Sequence, residues 1–134
     1  MQEQKMQYLQ FVQNIITRHN TNSFQIKELT IAIITAIFGV YAVKEISCPQ
    51  LILISSMTTF FLWLLDAKYL KQERQFRMLY NDAVSYKVKV YSMDISPYDV
   101  NYKEILFSKT MRIFYIPLIF LTVTIAVCAY LKII

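Results

Sequence analysis

Few residues in this chain have the types and spacing that bond chemistry needs. The single histidine, His19, has no Asp, Glu or Cys close to it in sequence, and Arg18-His19 lacks the separation of an Arg/His nuclease motif. No glycine-rich phosphate loop and no Ser/His/Asp arrangement occurs. Cys48 and Cys128 fit neither a CxxC motif nor a zinc spacing. The carboxylates Asp82, Asp94, Asp99 and Glu104 could in principle gather, but interleaved lysines point to a solvated surface. His19 then reads as a helix-end cap or a surface residue. No catalytic residue, metal ligand or cofactor is expected, and the chain is not read as an enzyme.

Two other sets of side chains carry possible function. The first is basic: Lys68, Lys71, Arg74, Arg77, Lys87 and Lys89. Such a set can follow from the bias that keeps positive charge on the cytoplasmic side of a membrane and near anionic headgroups. It can equally form a polyanion site, because guanidinium forks match phosphate oxygens; Arg74, Arg77, Lys87 and Lys89 are the residues chosen for it. Tyr69, Phe76, Tyr80, Tyr86 and Tyr91 lie among them and either stack nucleobases or form core. The second set is the hydroxyl run Ser55, Ser56, Thr58 and Thr59, joined by Thr30 and Thr35. Small hydroxyl residues let helices approach closely, and they can also face water in a pore. In the pore reading Ser55, Thr58 and Thr59 share one helix face, with Leu62 a turn further on as an apolar constriction.

The elements that must position these residues are membrane helices. Of 134 residues, 56% are hydrophobic, with one Gly and three Pro, which is too apolar for a soluble domain of this size. Residues 29–46 form a first span, short and helped by Lys27 and Lys44 reaching outward. Pro49 opens the return, and residues 50–65 form the second span. Residues 113–131 form a third, with Pro117 in its first turns.

The stretch 58–80, TTFFLWLLDAKYLKQERQFRMLY, changes from apolar to charged at Asp66 with no Gly or Pro in it. One helix should therefore leave the bilayer near Trp63, an interfacial anchor, and continue into water, supported by Glu73 and Arg77 at i,i+4. Residues 1–21 form an amphipathic helix with Met6, Leu9, Val12 and Ile16 on its apolar face; it either packs on a neighbouring helix or lies on the membrane. A break at residues 19–23 is expected to follow, with Asn22 or Ser23 capping the next helix. A short strand is expected at 85–90, where Tyr86, Val88 and Val90 alternate with lysines, and Asn101 should cap a short helix.

Residues 66–112 hold nine Lys/Arg against six Asp/Glu, whereas the link at 44–50 holds one of each. That asymmetry places 66–112 and the N-terminus in the cytoplasm and the link outside. Cys48 and Cys128 then share the outer side beside lipid, where a disulfide is not expected.

Two blocks, FVQNIITRHNTNSFQIKEL at 11–29 and FLWLLDAKYLKQERQFRMLY at 61–80, resemble a family of small bacterial membrane proteins. The matching positions are Asn22, Ser23, Phe24 and Lys27 in the first, and Trp63, Asp66, Tyr69, Leu70, Glu73, Arg74, Phe76, Arg77, Leu79 and Tyr80 in the second. The family is similar to membrane effectors of anti-phage systems, including the Hailong type, in which a nucleotidyltransferase makes a nucleotide product that controls a membrane pore.

The fold class expected is an all-α membrane protein, a single membrane domain over 1–134 with three transmembrane helices and a small cytoplasmic region. The function expected is a homo-oligomeric channel or membrane-disrupting effector, such as a tetramer in the bacterial inner membrane, gated through its cytoplasmic face by a nucleotide or oligonucleotide. The alternative is a non-conducting scaffold that recruits a cytoplasmic protein through residues 85–103.

Overall fold

The computed structural model describes residues 2–86 and 92–131. Four helices follow one another: α1 (Gln2–Ala42), α2 (Cys48–Val84), α3 (Tyr102–Leu106) and α4 (Lys109–Tyr130). Among the described residues there is no strand; most of the expected one lies outside them, and Ser85 and Tyr86 end α2 in a turn. α1, α2 and α4 are each long and apolar enough to cross a membrane. At a rise of about 1.5 Å per residue α1 and α2 extend roughly 62 and 56 Å, and α4 roughly 33 Å. A hydrocarbon core is about 30 Å thick, so α4 matches it while α1 and α2 are long enough to emerge as a two-helix stalk.

α1 and α2 are antiparallel and pack along their length. The buried positions of α1 are Tyr8, Val12, Ile16, Ser23, Ile26, Thr30 and Ile34, a spacing of threes and fours that keeps one stripe on the partner. In the stalk Tyr8, Val12 and Ile16 meet Leu79 and Ala83, with Phe76, Tyr80, Ile95 and Tyr98 around them. The amphipathic N-terminal helix thus packs on its own chain, although Met6, expected on the apolar face, is exposed.

The break expected at residues 19–23 does not occur, and α1 runs through it. None of His19, Asn20, Thr21, Asn22 and Ser23 is Gly or Pro, so each costs a helix only about half a kcal/mol of propensity. Packing outweighs that: His19 lies against Tyr69 and Phe76 of α2, and Ser23 is buried.

The hairpin link is fixed by both helix ends. Glu45 N–H donates to Val40 C=O and Lys44 N–H to Tyr41 C=O, the paired bonds of a Schellman ending. That ending needs a left-handed residue, and Lys44 supplies it at φ 64°. On the far side Gln50 Oε1 accepts from the Ser47 N–H at 2.9 Å, and Pro49 lies in the first turn of α2. A non-glycine residue in this region costs roughly 1 kcal/mol. Lys44→Gly is therefore expected to stabilise the protein by about that amount, read as a raised thermal midpoint in detergent; an unchanged midpoint would mean that the Lys44 side chain offsets the strain.

α3 is capped as expected, Asn101 Oδ1 accepting from Lys103 N–H at 3.0 Å. α4 starts at Lys109, ahead of the third span expected from residue 113, so Pro117 falls in its third turn and leaves the Ile113 carbonyl without its intrahelical donor. Outward faces of the three long helices are apolar: Ile52, Leu53, Phe60, Phe61, Ile116 and Phe120 are exposed, the last at 74%. Faces of this composition suit lipid or another apolar surface, not water.

Candidate functional site

Where α1, α2 and α4 meet, at the stalk end of the apolar stretches, lies a polar cluster built on Asp66. This carboxylate is 0% exposed. The Lys27 ammonium reaches Asp66 Oδ2 at 2.6 Å, the Tyr115 hydroxyl donates to the same oxygen at 2.8 Å, and the Ser23 hydroxyl donates to Oδ1. Lys27 also donates to Ser23 Oγ at 2.9 Å. One carboxylate from α2 thus gathers two donors from α1 and one from α4. A buried charge is tolerated only with such pairing.

Local sequence explains the convergence. Ser23 and Lys27 are one turn apart on the stripe that continues through Ile26 and Thr30. Ser55, Thr59, Leu62 and Asp66 step down α2 by fours and threes, so a helix that turns Ser55 and Thr59 inward turns Asp66 inward too. Tyr115 is held by its ring, stacked on Trp63 at 5.8 Å between centroids. Lys27 was expected to reach outward; it turns inward instead, because burying Asp66 without a counter-charge would cost more than burying the pair.

Trp63 has a second partner. Its indole N–H donates to Leu106 C=O at 3.1 Å, while Tyr102 OH donates to Leu64 C=O at 2.6 Å. These reciprocal bonds clamp α3 to α2 just beside the cluster. The expected interfacial anchor is therefore a packing residue as well.

The expected pore-lining residues divide. Ser55 and Thr59 are buried within the single chain, and Thr58 and Leu62 are half-buried. A groove of about 290 Å³ between α2 and α4 is lined by Ser55, Thr59, Trp63, Ile119, Thr122 and Val123. Ser55 Oγ has no hydrogen-bond partner among the described residues. A larger groove, about 870 Å³, separates α1 from α4 and is lined by Ile31, Ile34, Phe38, Leu118, Leu121 and Ile125.

Of the expected ligand-binding residues, Arg74 and Arg77 are brought together, and Lys87 and Lys89 lie outside the described residues. The two arginines line a cleft of about 410 Å³ whose other wall carries Asp99, Asn101 and Glu104. Arg77 Nε also pairs with the largely buried Glu73 at 2.5 Å, the i,i+4 pair expected from the spacing. The cleft is of mixed charge and not purely basic. His19, expected as a helix-end cap or a surface residue, is instead half-buried within α1: it is stacked on Phe76, and its Nδ1 has no partner among the described residues. Burial lowers its pKa, Arg18 adds to that, and Glu73 opposes it.

No metal-ligating group of His, Cys, Asp and Glu occurs among the described residues, and both cysteines are free, Cys48 lying 3.5 Å from the Ala126 carbonyl of α4. Comparison of the chain with protein-family models, curated proteins and solved structures gives no match. The Asp66 cluster was not singled out from the sequence as a site. Three of its four members, Ser23, Lys27 and Asp66, nevertheless stand in the blocks at 11–29 and 61–80.

Proposed function

We propose that this protein is a membrane effector that assembles as a homo-oligomer and opens a path through the bacterial inner membrane under control of its stalk. The N-terminus and stalk are cytoplasmic in this reading. The observation that carries it is the continuity of α2: one unbroken helix holds the hydroxyl residues of the span, Asp66 and the Arg74/Arg77 pair. Whatever binds the stalk therefore acts on the span through a single rod. Three spans in one chain are too few to enclose a water path, and the exposed apolar faces supply the surface for copies to meet around an axis. The resemblance to anti-phage effectors supplies the ligand class, a nucleotide or oligonucleotide from a partner nucleotidyltransferase, with Arg74, Arg77, Lys87 and Lys89 as its contacts.

The mixed charge of the Arg74/Arg77 cleft favours a second reading, in which a charged protein segment docks there and the assembly conducts nothing. Dye or ion flux from liposomes holding the purified protein separates the two. A mixed-sequence single-stranded oligonucleotide should change the flux, and Arg74→Gln with Arg77→Gln should weaken that response. Losing two phosphate contacts should also flatten the dependence of log affinity on log salt by about 1.4, at roughly 0.7 per single-strand contact. Absence of flux under all conditions would leave the scaffold reading.

A further inference from the structure

α4 is attached differently from the other two long helices. α1 and α2 share a packed seam from Tyr8 and Ala83 in the stalk to Thr30 and beyond. Between α1 and α4 lies the large apolar groove, so over the outer half of the bundle α4 rests on α2 alone. There Ala126 lies beside Cys48, and further along the two helices flank a groove lined by Ser55 and Thr59 of α2 and Ile119 and Thr122 of α4. At the inner end the Tyr115 hydroxyl ties α4 to the Asp66 carboxylate, with Thr30 of α1 beside the same hydroxyl. Two residues further along α4, Pro117 leaves a missing backbone bond, the usual place for a helix to bend.

We infer that Asp66 is a latch: anchored by Lys27 and Ser23 of α1, it holds α4 in the bundle through Tyr115, and loss of the Tyr115 bond releases the part of α4 beyond Pro117. The stalk is what can act on it, since Asp66 lies on the same helix as the Arg74/Arg77 cleft. Released, α4 would vacate the face of α2 that carries Ser55 and Thr59, exposing to neighbouring copies the hydroxyls that the closed chain covers. This supplies the regulation of the activity proposed above and for that consequence rests on it. The latch itself is a statement about helix positions and can be tested without flux.

The test uses the full chain in liposomes with Cys48→Ser, Cys128→Ser and Ala126→Cys, which leaves one thiol, buried where α4 meets α2. Its alkylation by N-ethylmaleimide proceeds through released α4, so the rate follows the unlatched population. Tyr115→Phe keeps the ring against Trp63 and removes only the hydroxyl, and it should speed alkylation about tenfold, the scale of one hydrogen bond to a charged acceptor. Ser23→Ala, which leaves the Tyr115 bond in place, should speed it much less. An unchanged rate in Tyr115→Phe overturns the latch. If that variant does not insert, Asp66→Leu combined with Lys27→Met removes the acceptor together with its counter-ion: faster alkylation supports the latch and an unchanged rate overturns it. Faster alkylation without flux supports the latch and sinks the channel. Raised flux with unchanged alkylation does the reverse.

Discussion

Lys27→Met is expected to destabilise the folded protein by about 3–5 kcal/mol, the cost of leaving a buried carboxylate without its counter-ion. Asp66 is wholly buried and Lys27 mostly so, so solvent does little to screen the loss. The remaining donors, Ser23 and Tyr115, are neutral and replace hydrogen bonds but not charge. The double variant Lys27→Met/Asp66→Asn should recover most of the loss, because it removes the charge together with its partner. Denaturant titration in mild detergent, followed by circular dichroism, gives both values. If the single and double variants are equally unstable, the pair contributes nothing beyond its packing.

The second large effect is expected in the stalk. Leu79 is 0% exposed and lies among Tyr8, Val12, Ile16 and Ala83. Leu79→Ala should cost about 2–5 kcal/mol, from lost transfer energy plus the cavity left behind. The adjacent Met78 is 42% exposed, and Met78→Ala should stay within roughly 0.5 kcal/mol. Limited proteolysis separates a local from a global effect: cleavage confined to the stalk of Leu79→Ala, with the spans intact, means that the stalk opens independently. Uniform loss of both would mean that stalk and spans unfold as one unit.

Long periodic elements were legible in the sequence. The helix through residues 58–80 was readable because a 3.6-residue pattern persists with no Gly or Pro to stop it, and the Asn101 cap was readable because Asn followed by a short apolar run has a local cause. The uninterrupted α1 was not readable, because residues 19–23 are turn-formers in isolation and only contact with Tyr69, Phe76 and Asp66 overrides them. Lys27 misled for a related reason. A lysine beside an apolar run ordinarily reaches for water, and its inward turn depends on a carboxylate 39 residues away. Tyr115 was silent altogether, since a tyrosine in an apolar run differs little from phenylalanine until an acceptor is placed opposite it. The strand at 85–90 and the lysines at 87 and 89 lie largely outside the described residues.

Asp66 stands at the midpoint of α2, eighteen residues from Cys48 and eighteen from Val84. Each half is therefore about 27 Å long. A rigid α2 tilting about the Asp66 cluster is a see-saw with equal arms, so it neither magnifies nor diminishes movement. A displacement of a few ångströms at the Val84 end would move the Cys48 end by the same distance in the opposite sense.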